Sequence, residues 1–78
     1  MNKDRRKRLA DIYNVLTVQK DLLEIIRDEE QEAFDNMPEN FQEGEKGAQA
    51  QDIIDSLDEA LSQLEEAADG ISGIDGVG

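Results

Sequence analysis

The chain has 78 residues, with 20 Asp and Glu against 8 Lys and Arg, a formal net charge of -12, and neither histidine nor cysteine. This length allows one small domain, and the missing imidazoles and thiols exclude histidine bases, cysteine nucleophiles, structural zinc, haem ligation and iron–sulfur clusters. A core this small usually needs a disulfide, a metal or a partner chain for stability. We therefore expect a partner chain, no cofactor and no enzymatic activity.

The first predicted element is a long amphipathic helix over about residues 4–37, a stretch without glycine or proline. Its apolar residues recur three, four or seven positions apart, which is the period of one helix face, although Gln19 and Glu30 interrupt the series. Pro38 ends the helix, because the residue before a proline is disfavoured in the α conformation. The predicted stripe consists of Leu9, Ile12, Leu16, Leu23, Ile26, Ala33 and Met37, with Tyr13, Leu22 and Phe34 beside it.

A turn over residues 38–43 and a second helix over about residues 44–69 are predicted next. The apolar residues of this helix alternate gaps of four and three without exception, which is a three-heptad seam. Gly44 is the expected N-cap, Gly47 lies in the first turn, and Gly70 is the expected C′ residue that ends the helix. The seam consists of Ala50, Ile54, Leu57, Leu61, Leu64, Ala68 and Ile71.

The predicted fold class is all-α, an antiparallel helical hairpin over residues 1–69, because the short connection lets the second helix fold back on the first. Residues 70–78 contain four glycines and are expected to form a flexible tail, since each glycine inside a helix costs about 1 kcal/mol relative to alanine. A lone hairpin leaves one side of each apolar stripe exposed to solvent, so we expect self-association into a four-helix bundle or a coiled-coil-like dimer. The residues predicted to mediate self-association are Ile54, Leu57, Leu61 and Leu64.

Residues 28–68 resemble a recurrent type of small acidic helical protein encoded by phages and by bacteria that carry prophages. The resemblance rests on an acidic run, the segment AFDNMPEN at residues 33–40 with Gln42 after it, and a helix in which Leu, Ile and Ala alternate with Asp and Glu. Those proteins commonly open the second helix with a capping serine, where this chain has Gly44. The resemblance implies a phage context and a hairpin fold, and it brings no activity and no functional residue.

The two ends of the chain carry opposite charge. Residues 3–8 hold five basic residues and one acidic residue, a net charge of +4. Residues 9–78 hold three basic and nineteen acidic residues, a net charge of -16. The first helix therefore runs from basic to acidic against its own macrodipole, so another interaction must favour this order. A nucleic-acid contact or docking on an acidic protein are alternatives, but five bases without interleaved aromatics argue against direct nucleic-acid binding. The pairing that we expect joins Arg5, Arg6 and Arg8 to Glu65, Glu66 and Asp69.

Seven carboxylates gather around the predicted turn, with Lys46 as their only opposing base and Phe41 as a candidate apolar anchor. They can form a solvated tip that keeps the protein soluble or a surface that attracts a basic partner. No calcium-binding loop of the EF-hand type is present, so we expect no metal site. We predict that a partner binds this acidic turn end, which consists of Glu29, Glu30, Glu32, Asp35, Glu39, Phe41, Glu43 and Glu45.

The sequence thus predicts a small acidic phage-type protein that binds a host protein with a basic surface and inhibits or modulates it. A net of -16 spread over a hairpin about 40 Å long is roughly one charge per 2.5 Å, near the one per ~1.7 Å of duplex DNA, so nucleic-acid mimicry is one possible mode. The alternative is a structural or assembly adaptor that acts through helical oligomerisation. We expect a cytoplasmic protein, because no stretch approaches the ~20 apolar residues of a membrane span and no apolar signal segment follows the basic start.

Overall fold

The computed structural model describes residues 1–77, and all regular secondary structure in this part of the chain is helical. Helix α1 spans Lys3–Asp35, α2 is a single turn over Glu39–Gln42, and α3 spans Glu45–Ser72. The all-α class predicted from the sequence is confirmed.

The two long helices lie side by side. The Cα atoms extend over 58 × 14 × 12 Å, and the 33 residues of α1 alone account for about 50 Å of that length. Arg27 of α1 pairs with Asp58 of α3, and Arg6 pairs with Asp75, just beyond the end of α3. These contacts place the start of α1 near the end of α3.

Helix α1 begins one residue before its predicted start and ends two residues before its predicted end. Asn2 is the N-cap, and its Oδ1 accepts a hydrogen bond from the backbone N–H of Arg5 at 2.8 Å. Asn36 is the C-cap, so Met37 lies outside the helix. The prediction extended the helix to the residue before Pro38, although the chain already leaves the helix two residues earlier.

Helix α3 is longer than predicted. It continues through Gly70 to Ser72, so the interpretation of Gly70 as the C′ residue is wrong. The half-buried Ile71 follows directly, and its packing offsets the cost of an interior glycine, which is about 1 kcal/mol. Gly73 is the C-cap instead, and its backbone N–H donates to the carbonyl oxygen of Asp69 at 3.1 Å.

Beyond α3, the described chain continues as turns over residues 73–77. Asp75 and Gly76 have positive φ angles of 41° and 79°, and Val77 is buried. The predicted flexible tail also included Gly78, which lies outside the described residues. The flexibility of this segment stays a prediction, while its described part has defined contacts with the start of α1.

The basic segment, residues 3–8, does not make the ion pairs predicted from the sequence. Arg6 Nε lies 3.6 Å from the carboxylate of Asp75, which also lies 3.5 Å from the α-amino nitrogen of Met1. Because α3 runs past its predicted end, Asp75 rather than an acid of α3 reaches the start of α1. Two further pairs lie within α1, Lys7 with Asp11 at 3.2 Å and Arg8 with Asp4 at 3.1 Å. The acids predicted to pair here, Glu65, Glu66 and Asp69, are exposed and form no ion pair within residues 1–77.

The core lies on the predicted seam of α3 and is small. Ile54 is 1% exposed, and it is the one large side chain that is fully buried among residues 1–77. Ala50 and Ala68 are buried on the same side of α3. Of the residues predicted to mediate self-association, Ile54 is thus already covered within one chain, and Leu57, Leu61 and Leu64 are half-buried. Their role between chains stays a prediction.

Helix α1 packs against α3 along a face shifted toward one edge of the predicted stripe. Leu9, Leu16 and Leu23 are half-buried as expected, but Ile12 and Ile26 are about half exposed. The covered edge of the stripe instead includes four residues spaced by seven, Tyr13, Lys20, Arg27 and Phe34. This edge offers two aromatic rings and the aliphatic stems of two long basic side chains to α3.

Candidate interaction surfaces

One side of α1 carries a contiguous row of aliphatic side chains that α3 leaves uncovered. Six of them are between 48% and 58% exposed. Single exposed aliphatic residues are normal in a folded monomer, whereas a large contiguous patch is typical of interaction surfaces. This surface, the α1 aliphatic face, consists of Ile12, Val15, Val18, Leu22, Ile25 and Ile26.

The α1 aliphatic face continues into a shallow groove at the start of the helix. The groove has a volume of about 280 Å³ and is lined by Met1, Arg5, Arg8, Leu9 and Ile12. Its lining thus combines apolar side chains with two guanidinium groups.

Arg27 joins α1 to α3. Its Nε donates to Asp58 Oδ1 at 2.7 Å, its Nη2 donates to Asp58 Oδ2 at 3.4 Å, and its Nη1 lies 3.6 Å from the carboxylate of Asp28. The hydrogen bond to Asp58 raises the pKa of Arg27 above its ordinary value, although partial burial opposes the change. The guanidinium group of Arg27 thus links α1 to α3 through a charge-assisted hydrogen bond.

Gln42 and Gly47 hold the connection between the long helices. Gln42 Nε2 donates to the carbonyl oxygen of Phe34 at 2.9 Å and to that of Asp35 at 3.3 Å, and both oxygens belong to the last turn of α1, whose carbonyls lack partners within the helix. Gly47 is buried in the first turn of α3, where a Cβ atom would overlap the backbone of Gln42. The sequence pattern indicated no role for Gln42, and it placed Gly47 only in the first turn of the predicted second helix.

The acidic turn end is exposed, apart from the half-buried Glu30. None of its carboxylates forms an ion pair with another of residues 1–77. Phe41 is 45% exposed, and the Nζ atom of Lys46 lies 5.5 Å from the centroid of its ring. Lys46 therefore rests on the aromatic face, in a cation–π arrangement, and leaves the carboxylates unneutralised.

Within the described part of the chain, no three carboxylates converge in a geometry that would hold a metal ion. The helices of residues 1–77 include none with an apolar stretch long enough to cross a membrane. Comparison with protein-family models, with curated proteins and with solved structures finds no match. The chain presents two candidate interaction surfaces, the α1 aliphatic face and the acidic turn end.

Proposed function

We propose that this chain is a non-catalytic interaction protein whose working unit is an antiparallel helical hairpin of α1 and α3. The Arg27–Asp58 and Arg6–Asp75 pairs support this arrangement of the helices. The observation that carries the functional proposal is the α1 aliphatic face. A helix hides its apolar surface against another element, and in this chain a second apolar surface of α1 remains for a partner.

The α1 aliphatic face favours a structural or assembly adaptor, which acts by packing its helices against those of another chain. An amphipathic helix presents anchors at i, i+3, i+4 and i+7 to its partner, and Ile12, Val15, Leu22 and Ile26 have this kind of spacing. Each square ångström of apolar surface removed from water contributes about 25 cal/mol. The charged groups around the face then set the orientation of the partner rather than the bulk of the affinity.

Val15→Glu should abolish binding of a partner at this face, whereas Gln63→Glu should preserve it. Both positions are exposed and both variants add one carboxylate to a long helix, but Gln63 lies on α3, on the side opposite its seam. Affinity capture from the native host, with mass spectrometry as the readout, compares the wild type with both variants. A partner retained by the wild type and by Gln63→Glu, and lost by Val15→Glu, is the expected result.

Circular dichroism of the two variants provides the control for folding, because both should keep the helicity of the wild type. Retention of every captured partner by a folded Val15→Glu variant would refute binding through the α1 aliphatic face.

A second candidate function is inhibition or modulation of a host protein with a basic surface, through the acidic turn end. The specific observation in its favour is Phe41, an exposed ring among carboxylates without ion pairs. Carboxylates of one sign around an aromatic anchor would steer a basic partner toward that anchor. A phage-type inhibitor that works in the cytoplasm of its host is the form of this proposal that the sequence resemblance suggests.

Replacing Glu29, Glu32 and Glu39 by glutamine should slow association with a basic partner without changing helicity. The association rate falls because electrostatic steering acts mainly on this rate, and the effect weakens with salt. A matched set on α3, Asp52→Asn, Asp55→Asn and Glu59→Gln, removes the same charge elsewhere. The measurement is the association rate of a captured partner at low and high salt. Wild-type rates in the first triple variant would refute the turn-end site, and slower rates in the second would move the site to α3.

Mimicry of nucleic acid receives less support than recognition at the turn. A net charge of -12 along a 58 Å axis is about one charge per 5 Å, against one per ~1.7 Å in duplex DNA. The basic segment also places positive charge at one end of the rod. We therefore favour a local acidic surface over an extended DNA-like one.

A further inference from the structure

We infer that the α1 aliphatic face is covered by α1 of a second copy of this chain. The two α1 helices would run antiparallel and cross near Gln19, in a dimer with two-fold symmetry. This inference rests on the proposed function and names the partner that the face binds. The dimer would be a four-helix arrangement in which the two hairpins meet through α1.

The spacing of the α1 aliphatic face is nearly symmetric about Gln19. Ile12 and Ile26 each lie seven residues from Gln19, and Val15 and Leu22 lie four and three residues from it. A two-fold axis near Gln19 therefore places Ile12 of one copy opposite Ile26 of the other. Val15 comes opposite Leu22 in the same way. Four of the six aliphatic positions of the face thus meet another aliphatic position, and Val18 and Ile25 lie at the edge of the face away from Gln19.

The charges of α1 have the order that an antiparallel copy requires. Arg8 lies four residues before Ile12, and Glu30 lies four residues after Ile26, so the same axis brings Arg8 of one copy to Glu30 of the other. Within one chain, Arg8 pairs with the exposed Asp4, and Glu30 forms no ion pair within residues 1–77. A parallel copy would instead place basic segment against basic segment.

This arrangement also accounts for the charge order of α1. A helix with bases in its first turns and acids in its last turns opposes its own macrodipole. In the single chain, the basic segment is neutralised only in part by Asp75 and by neighbouring acids of α1. The antiparallel copy places residues 3–8 beside residues 30–35 of the other chain, a stretch that includes Glu30, Glu32 and Asp35.

The size of the face fits an interface that uses most of the length of α1. Six half-exposed aliphatic side chains present on the order of 500 Å² per chain, near the upper end for a single patch on a monomer. A specific interface buries about 800 Å² per partner. The polar flanks at Arg8, Gln19 and Glu30 supply the remaining contact, as the polar rim does in other interfaces.

Sedimentation equilibrium and cysteine cross-linking of the purified chain test the inference. The wild type should have the mass of a dimer at roughly 100 µM, and Val15→Glu, which acts twice in a symmetric dimer, should raise the Kd by roughly a hundredfold or more. Because the sequence has no cysteine, introduced thiols report geometry without background. Gln19→Cys should form a disulfide with itself on mild oxidation, and Asp21→Cys, which is exposed and points about 160° away from Gln19 around α1, should not.

The orientation of the helices is tested with a short thiol-reactive cross-linker. Arg8→Cys should be joined to Glu30→Cys in an equimolar mixture and should not be joined to itself. A wild-type monomer mass, or cross-linking of Arg8→Cys to itself in preference to Glu30→Cys, would overturn the inference. A monomer that still loses a different captured partner in the Val15→Glu variant would refute the second copy while leaving the proposed function standing.

Discussion

Replacing Ile54 by aspartate should unfold the protein. Ile54 is 1% exposed, and it is the one large side chain fully buried in residues 1–77. An unpaired carboxylate placed there is costly to bury, by several kcal/mol, in a chain whose total stability falls within or below the usual range of about 5–15 kcal/mol. The milder change Ile54→Ala should still destabilise the fold by about 2–5 kcal/mol, through lost burial and the cavity that it leaves.

Ile53→Asp is the matched control for this substitution. Ile53 is adjacent in the same helix but is 49% exposed, so the same chemical change there meets water and should change stability little. Far-UV circular dichroism during urea unfolding measures both variants at one protein concentration, because dimer formation would make the midpoint concentration-dependent. If Ile54→Asp unfolded at the same urea concentration as Ile53→Asp, the seam of α3 would not be the core.

The buried side of α3 could be predicted from the sequence, because the apolar residues of its seam follow the heptad spacing without interruption. Ala50, Ile54 and Ala68 follow an unbroken heptad series, and all three are buried. The other apolar row of this helix, Ile53, Ala60 and Ala67, has a single large side chain. The end of α3 was harder to predict, since the cost of Gly70 within a helix is small enough for the packing of a single neighbour, Ile71, to offset it.

The packed side of α1 could not be predicted in the same way, because α1 carries more aliphatic residues than one stripe needs. Two overlapping rows of apolar residues have the helical period, and local periodicity does not determine which of them packs against α3. The choice depends on partners distant in sequence, such as Asp58, which is 31 residues from Arg27. The surplus itself was a usable signal, since Val15, Val18 and Ile25 lie outside the predicted stripe and belong to the α1 aliphatic face.

The exposed state of most of the acidic turn end followed from its composition, whereas the structure of the turn did not. Gln42 caps α1 only because α2 brings its side chain back over Phe34. Likewise, Asp75 reaches Arg6 only because α3 passes its predicted end. Such contacts depend on the path of a few connecting residues, which hydrophobic periodicity does not describe.

Gly47→Ala should destabilise the protein, contrary to the usual effect of alanine in a helix. Alanine is favoured over glycine by about 1 kcal/mol in a helix interior, but a Cβ at position 47 would overlap the backbone of Gln42. Relieving that overlap requires α2 to move away from α3, and we expect a net loss of about 1–3 kcal/mol, as for other overpacked sites. The displacement should also weaken the cap that Gln42 provides to α1.

Gly70→Ala is the matched control, because it makes the same substitution in the same helix. A Cβ at Gly70 would have no atom within 4 Å, so this variant should gain about 0.5–1 kcal/mol from the higher helix propensity and the restricted unfolded chain. Urea unfolding of the two variants at equal concentration should therefore shift the midpoint in opposite directions. A rise in both midpoints would mean that α2 does not lie against the first turn of α3, and that the connection between the long helices is held in another way.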